Sequence, residues 1–234
     1  MNVAKEKELE GILNQLSGLL TNKYPSSGRH EDARLFLDCS YNLFLGWRSS
    51  LNRIMNLELD EYEFWETFES FCNECQNGSW SGMARHKSEI KPRRGQLYKS
   101  VHQMLLARTD VNKVIRIIKN VTTSSGPDKI GGLTAFPMTG ILFAYDEENF
   151  MILDSPVMDY FGFTGEIEER YYRALSGYGE IIRKSREYSK KFSLPMWYVN
   201  KAYGILSNHK HLGVKKLCGN CFGTSFRNFE FPFS

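Results

Sequence analysis

The stretch KIGGLTAFPMTGILFAYDEENFMILDSPVMDYFG, residues 129–162, decides the fold around the residues of greatest interest. Gly131 and Gly132 carry no Cβ, so they predict a tight turn at which the backbone can approach a bulky partner. Thr134 is suited to cap the following helix, and Pro137 then lies in the first turn, where its missing N–H costs nothing. Apolar residues of this region recur at core spacing, at Leu133, Phe136, Ile141 and Ala144.

The glycine turn has two interpretations. Exposed N–H groups at a turn and a helix start bind phosphate oxygens without sequence preference. A plain helix–helix turn uses Gly-Gly equally well. The residues alone leave both interpretations open.

Asp154 is the residue of this stretch whose side chain is the best candidate to take part in a reaction. It follows the short apolar segment MIL, and Ser155 and Pro156 predict a helix with Ser155 as N-cap and Pro156 at the first helical position. The helix dipole then favours the ionised carboxylate. Such a carboxylate can stabilise a developing cationic sugar and orient an attacking water. The alternative is that Asp154 only caps the helix.

The rest of the chain predicts an all-α fold, because no run alternates with period two long enough for a strand. We expect 1–234 to form a single unit with two halves, 1–110 together with the C-terminal tail and 111–208 with the hairpin at 129–145. Helical patterns cover about 9–20, 32–55, 60–75, 96–107, 111–119, 166–191 and 195–208. The basic segment 77–95 is predicted to be a solvated loop, with a phosphate-contacting segment as the alternative.

The composition and charge of the chain exclude few classes of function. The 234 residues are 41% hydrophobic and 24% charged, which is typical of a globular protein. A net charge of +3 permits nucleic-acid binding without arguing for it. No apolar run reaches the roughly 20 residues that span a bilayer, and no signal peptide is visible, so we expect a cytoplasmic protein without membrane contact. We also expect a monomer. Ser-His-Asp, Walker and Rossmann patterns are missing from the sequence.

The pattern Gly-Gly-Leu-Thr, an apolar helix, an acidic link and Ile-Leu-Asp resembles the helix-hairpin-helix superfamily of DNA glycosylases. The resemblance is closest over residues 129–162, and a looser likeness extends over about half of the chain. It implies two helical halves flanking a cleft, a catalytic Asp at Asp154, and duplex DNA as the partner. The residues that would grip the DNA backbone are Lys129, Gly131, Gly132 and Thr134.

The departures from the family pattern refine the expected reaction. Bifunctional members carry a lysine nucleophile just after the hairpin glycines, but 134–136 reads Thr-Ala-Phe. A Schiff base with the sugar is therefore not expected. The implied enzyme is monofunctional: it flips out a modified base and lets water attack the anomeric carbon, leaving an abasic site. Its role would be base-excision repair or defence against phage DNA with modified bases. Rival interpretations are a non-catalytic DNA-binding module and a helical scaffold that binds no nucleic acid.

The base pocket of this family lies between the two halves and is lined by aromatic residues. Candidates for stacking on the flipped base are Tyr41, Phe44, Trp47 and Trp65. Taken singly, each of them fits a place in the core better than a place in the pocket.

Two CxxC pairs, Cys72 with Cys75 and Cys218 with Cys221, match a tetrahedral zinc pattern. Their separation is much longer than in a standard zinc finger, so buried free thiols remain the alternative. A zinc ion here would be structural, tying the tail to the N-terminal helices. We expect no cofactor for the chemistry, and the spacing does not fit the family's iron–sulfur cluster.

Overall fold

A computed structural model describes residues 3–21, 29–74 and 86–207. Every regular element within these ranges is a helix, and none of the described residues forms a strand. The prediction of an all-α fold is therefore confirmed at the level of fold class.

Eleven α-helices and one 3₁₀ turn make up the described chain. They are α1 (Val3–Leu20), α2 (Arg29–Met55), α3 (Glu61–Glu74), α4 (Lys87–Ile90), the 3₁₀ turn Lys91–Arg93, α5 (Arg94–Leu106), α6 (Val111–Thr122), α7 (Ala135–Tyr145), α8 (Ser155–Tyr160), α9 (Ile167–Ser176), α10 (Tyr178–Phe192) and α11 (Met196–Ser207).

Two predicted boundaries were wrong. The single helix expected over 166–191 is divided at Gly177 into α9 and α10. The ring of Phe163 packs so closely here that a Cβ on Gly177 would lie 3.0 Å from its Cζ. Part of the expected basic loop is helical as well, because 87–93 forms α4 and the 3₁₀ turn, with Ile90 fully buried.

Helix α7 lies at the centre of the protein. Every residue from Ala135 to Ala144 is buried, because α2, α5 and α6 all pack against this helix. A helix that is apolar on all sides is typical of such a position. Since α7 begins directly after the glycine turn, the core fixes the position of that turn.

Helix α6 leads into the turn and is amphipathic. Its N-cap is Asp110, whose side chain accepts a hydrogen bond from the backbone N–H of Lys113 at 3.0 Å. Val114, Ile118 and Val121 form its buried face. The opposite face is polar and stays at the surface.

The N-terminal helix packs against the C-terminal ones. Leu9, Leu13 and Leu16 of α1 are fully buried, and α1 contacts α10 and α11. Helix α11 in turn packs against α8, the helix that begins after Asp154. Among the helices in the described ranges, none combines the length and the apolar character needed to span a membrane.

Candidate active site

The short buried segment that precedes Asp154 fixes the position of this residue. The backbone N–H of Leu153 donates to Thr139 Oγ1 of α7 at 3.0 Å. The backbone N–H of Met151 donates to the hydroxyl of Tyr178 at 3.2 Å, and this hydroxyl donates to the carbonyl of Met151. Since these partners are buried and belong to α7 and α10, two core helices hold the segment and set the position of Asp154.

Asp154 is itself the N-cap of α8. Its Oδ1 accepts a hydrogen bond from the backbone N–H of Val157 at 3.0 Å, and its backbone is extended. The prediction that Ser155 caps this helix was wrong: Ser155 is the first helical residue, and Pro156 is the second. The carboxylate therefore lies at the helix N-terminus, where backbone N–H groups favour its charged form.

The surroundings of Asp154 oppose its ionisation. Desolvation by burial raises the pKa of Asp154 from its ordinary value to about 6, although the hydrogen bond from Val157, the charge of Lys201 and a hydrogen bond from Asn200 each lower it. Loss of hydration therefore outweighs the interactions that favour the charged form. At neutral pH the carboxylate is still mostly ionised, and it is less hydrated than a surface aspartate.

Tyr171 of α9 connects the glycine turn to Asp154. Its side chain hydrogen-bonds to that of Thr134, and burial, followed by the negative charge of Asp154, raises the pKa of Tyr171. Thr134 occupies the N-cap position of α7 but makes no side-chain capping bond, contrary to prediction. Its hydroxyl is used by Tyr171 instead, so the turn and the carboxylate share one neighbour.

The glycine turn is held against the protein's own chain. Gly132 has φ +73°, in the left-handed region, and a Cβ there would lie 2.3 Å from the Cβ of His86. A Cβ on Gly131 would lie 3.2 Å from Oε2 of Glu89. The bulky partner that these glycines admit is therefore the segment that begins α4.

Lys129 forms an ion pair with Glu168 of α9, with 2.9 Å between Nζ and Oε1. Both side chains remain partly exposed. A phosphate that binds Lys129 must therefore compete with an internal carboxylate.

The aromatic candidates lie in different surroundings. Tyr41 faces α11, where its ring lies 6.1 Å from that of Trp197, and its hydroxyl donates to buried Glu147. Trp47 packs edge-on against Phe71 at 5.2 Å. Trp65 is 4% exposed within the core, and the side chain of Phe44 lies outside the described residues. Tyr41 therefore packs against α11, the helix that also carries Asn200 and Lys201.

The sequence interpretation missed three neighbours of Asp154, namely Tyr171, Asn200 and Lys201. Asn200 and Lys201 share one face of α11 with Trp197, at spacings of three and four residues, and Lys201 Nζ lies 4.1 Å from the centroid of the Trp197 ring. That spacing is visible in the sequence. Its relation to Asp154 is not, because it depends on how α11 packs against α8.

The zinc prediction falls mainly outside the described residues. Cys72 is buried near the end of α3, whereas Cys75, Cys218 and Cys221 belong to undescribed segments. Among the described residues, no group of three or more His, Cys, Asp or Glu side chains could hold a metal ion. The zinc site with four cysteine ligands therefore stays a prediction.

No protein-family model, curated protein or solved structure matches the chain. The site geometry and the sequence pattern of residues 129–162 therefore carry the functional argument.

Proposed function

We propose that this protein is a monofunctional DNA glycosylase with a helix-hairpin-helix fold. In this proposal the glycine turn between α6 and α7 packs against the start of α4 on one side and binds the backbone of duplex DNA on its exposed side, where Gly131 lies. A modified or damaged nucleotide is flipped into a cleft between two helical halves. Asp154 then assists water in cleaving the N-glycosidic bond, and an abasic site remains.

Tyr171 hydrogen-bonds to one part of the site and is influenced by the charge of the other, and this observation carries the proposal. Its side chain binds Thr134 at the end of the glycine turn and lies within electrostatic reach of Asp154. Excision needs the phosphate-binding turn and the reacting carboxylate on the same side of the molecule. The hydrogen bond of Tyr171 with Thr134 and the effect of Asp154 on its pKa support such a placement for two residues 20 positions apart.

The state of Asp154 suits the chemistry. Its carboxylate is partly dehydrated, yet at neutral pH it is mostly charged because its pKa is raised only to about 6. A charge in such a site acts more strongly on a developing oxocarbenium ion than a charge in bulk water does. The same carboxylate can orient the water that attacks the anomeric carbon.

Water, rather than a lysine, is the proposed nucleophile. The residues that follow the hairpin glycines include no amine. Lys201 lies close enough to lower the pKa of Asp154, and we assign it an electrostatic role. The reaction then ends at the abasic site, without cleavage of the DNA strand.

A second candidate function is a DNA-binding module without activity. The observation that favours it is the hydrogen bond from Val157 to Asp154, which gives the carboxylate a structural role in capping α8. In that case the glycine turn still binds DNA, and Asp154 takes no part in chemistry.

One assay separates these candidates. Wild-type protein and Asp154→Asn are incubated with duplexes that carry a broad panel of modified bases, and abasic sites are revealed by alkali. Asn preserves the N-cap and removes the charge, so we expect retained DNA binding and loss of base release. The matched control is Asp159→Asn on α8, whose carboxylate pairs with Arg170 at 2.7 Å. It should release the base like the wild type.

Other outcomes contradict the proposal. Binding without base release across the whole panel would favour the non-catalytic module. Equal release by wild type and Asp154→Asn would remove Asp154 from the chemistry. Covalent trapping of the protein on DNA by borohydride would contradict the hydrolytic mechanism, because it requires an amine nucleophile.

A further inference from the structure

A polar groove lies on the surface between α6 and α9. Its volume is about 320 Å³, and it is open to solvent. The side chains that line it and matter here are Arg116, Lys119, Asn120, Thr123, Ser125 and Tyr172. Nearly all of them can donate hydrogen bonds.

The groove carries positive charge that its own helix does not neutralise. Helix α6 contains no acidic residue. Within the described part of the chain, neither Arg116 nor Lys119 forms an ion pair. Lys119 is nonetheless held in place, because its Nζ donates to Ser176 Oγ at 2.8 Å and lies 4.2 Å from the centroid of the Tyr172 ring. A fixed cation without a carboxylate partner is suited to bind an anion.

The groove is continuous with the glycine turn. The backbone N–H of Lys129 donates to the carbonyl of Gly126 at 3.3 Å, and that of Ile130 donates to the carbonyl of Val121 at 2.9 Å. These bonds fold the segment that carries the hydroxyls of the groove directly onto the end of α6. The groove and the turn are therefore neighbouring parts of one surface.

Consecutive residues of α9 face the surroundings of Asp154 and the groove. The side chain of Tyr171 hydrogen-bonds to Thr134, and the negative charge of Asp154 raises the pKa of Tyr171. The next residue, Tyr172, lines the groove and is 45% exposed. A ligand that passes the glycine turn can thus reach the groove without crossing the protein.

We infer that this groove binds backbone phosphates of the DNA strand that continues from the glycine turn, away from the flipped nucleotide. The inference rests on the proposed function, which supplies the DNA. Arg116 and Lys119 would bind phosphate oxygens, the amide and hydroxyl groups would donate further hydrogen bonds, and the face of Tyr172 would cover a sugar or an unpaired base. The groove thereby extends the contact beyond the glycine turn.

The test is the salt dependence of DNA binding, measured by fluorescence anisotropy on a lesion-containing duplex. Each phosphate neutralised by the protein contributes about 0.9 to the slope of log affinity against log salt. The double variant Arg116→Gln/Lys119→Gln should reduce that slope by about 2 and weaken binding at low salt by on the order of tenfold. Lys113→Gln is the matched control, because it removes one exposed cation of α6 outside the groove. It should stay close to the wild type.

Truncated duplexes provide a second arm. Shortening the DNA on one side of the lesion should bring wild type and double variant to the same affinity, whereas shortening on the other side should leave their difference intact. If the double variant matches Lys113→Gln on every duplex, the inference is wrong, and base release by the wild type still supports the glycosylase. If the wild type binds no DNA, both fail. If the double variant binds DNA more weakly but the wild type releases no base, the groove does bind phosphates, and the protein is not a glycosylase.

Discussion

The hydroxyl of Thr139 accepts a hydrogen bond from the backbone N–H of Leu153 at 3.0 Å, in the fully buried interior of the protein. The same hydroxyl reaches back to the carbonyls of Ala135 and Phe136 in its own helix. The centre of α7 is thereby tied to the residue that precedes Asp154. The helix that begins at the glycine turn thus also sets the position of the carboxylate.

Thr139→Val should destabilise the protein by about 1 to 3 kcal/mol, because it leaves the buried N–H of Leu153 without its acceptor. Urea unfolding measures the change. Thr139→Ser keeps the hydroxyl and should lose less. A Val variant as stable as the Ser variant would contradict this role of the hydrogen bond.

Asp154→Asn should stabilise the protein above the pKa of Asp154. The folded-state pKa of about 6 exceeds the ordinary value of 3.8, so between these values the folded state binds a proton that the unfolded state has released. Wild-type stability therefore falls as pH rises through this window, by up to about 3 kcal/mol. Unfolding at about pH 4 and about pH 8 should show equal stability at the lower pH and a more stable variant at the higher.

Asp159→Asn is the control for that experiment. It loses a partly exposed ion pair with Arg170, which is worth about 1 kcal/mol or less. It should be slightly less stable than the wild type at about pH 8, a change of opposite sign. Stabilisation by both variants would show that the effect is not specific to Asp154.

Base release should follow the ionisation of Asp154. The rate of a single turnover is expected to rise about tenfold per pH unit below the folded-state pKa and to level off above it, because only the carboxylate form stabilises a cationic sugar. The transition should lie near pH 6, the pKa that burial gives Asp154. A rate that stays constant from about pH 5 to about pH 8 would contradict the assigned role.

Gly132→Ala should destabilise the glycine turn by about 1 to 3 kcal/mol. The residue has a positive φ, and the added Cβ would overlap that of His86. Gly179→Ala is the matched control, since no atom lies within 4 Å of its added Cβ in α10. It should stabilise the protein by about 0.5 to 1 kcal/mol. Thermal unfolding of both variants, with DNA affinity measured alongside, checks the prediction.

Glu168→Gln should strengthen DNA binding, because it releases Lys129 from its ion pair. If the freed lysine neutralises one phosphate, the salt slope increases by about 1. Glu169→Gln removes the same charge from the next position, where the carboxylate pairs with Arg173, and should have a smaller effect. An equal gain for both variants would indicate a general charge effect instead.

The sequence predicted the helices best where a cap or an apolar period marks them. The helix predicted over 111–119 agrees with the observed start of α6 at Val111, and Pro137 does lie in the first turn of α7. The break at Gly177 was missed, because it depends on the close approach of Phe163, which precedes Gly177 by 14 residues and lies in the loop between α8 and α9.

Only part of the candidate site could be predicted from the sequence, because the other part also depends on packing between distant elements. Asp154 and the glycine turn are local patterns with a recognisable order along the chain. Tyr171, Asn200 and Lys201 surround Asp154 only after α9 and α11 have packed against α8, and no spacing in the sequence encodes that arrangement. Tyr41 could be proposed as an aromatic residue, but its hydrogen bond to Glu147 spans 106 positions.

The complete burial of Ala135 to Ala144 bears on how this chain can change during evolution. Substitutions along α7 would be eliminated for loss of folding before any effect on function could be selected. Ten consecutive positions beside the site would therefore look intolerant in a mutational scan for purely structural reasons. New specificity would have to arise at the surface, in the exposed residues of α6 and α9 and in the turn between α6 and α7.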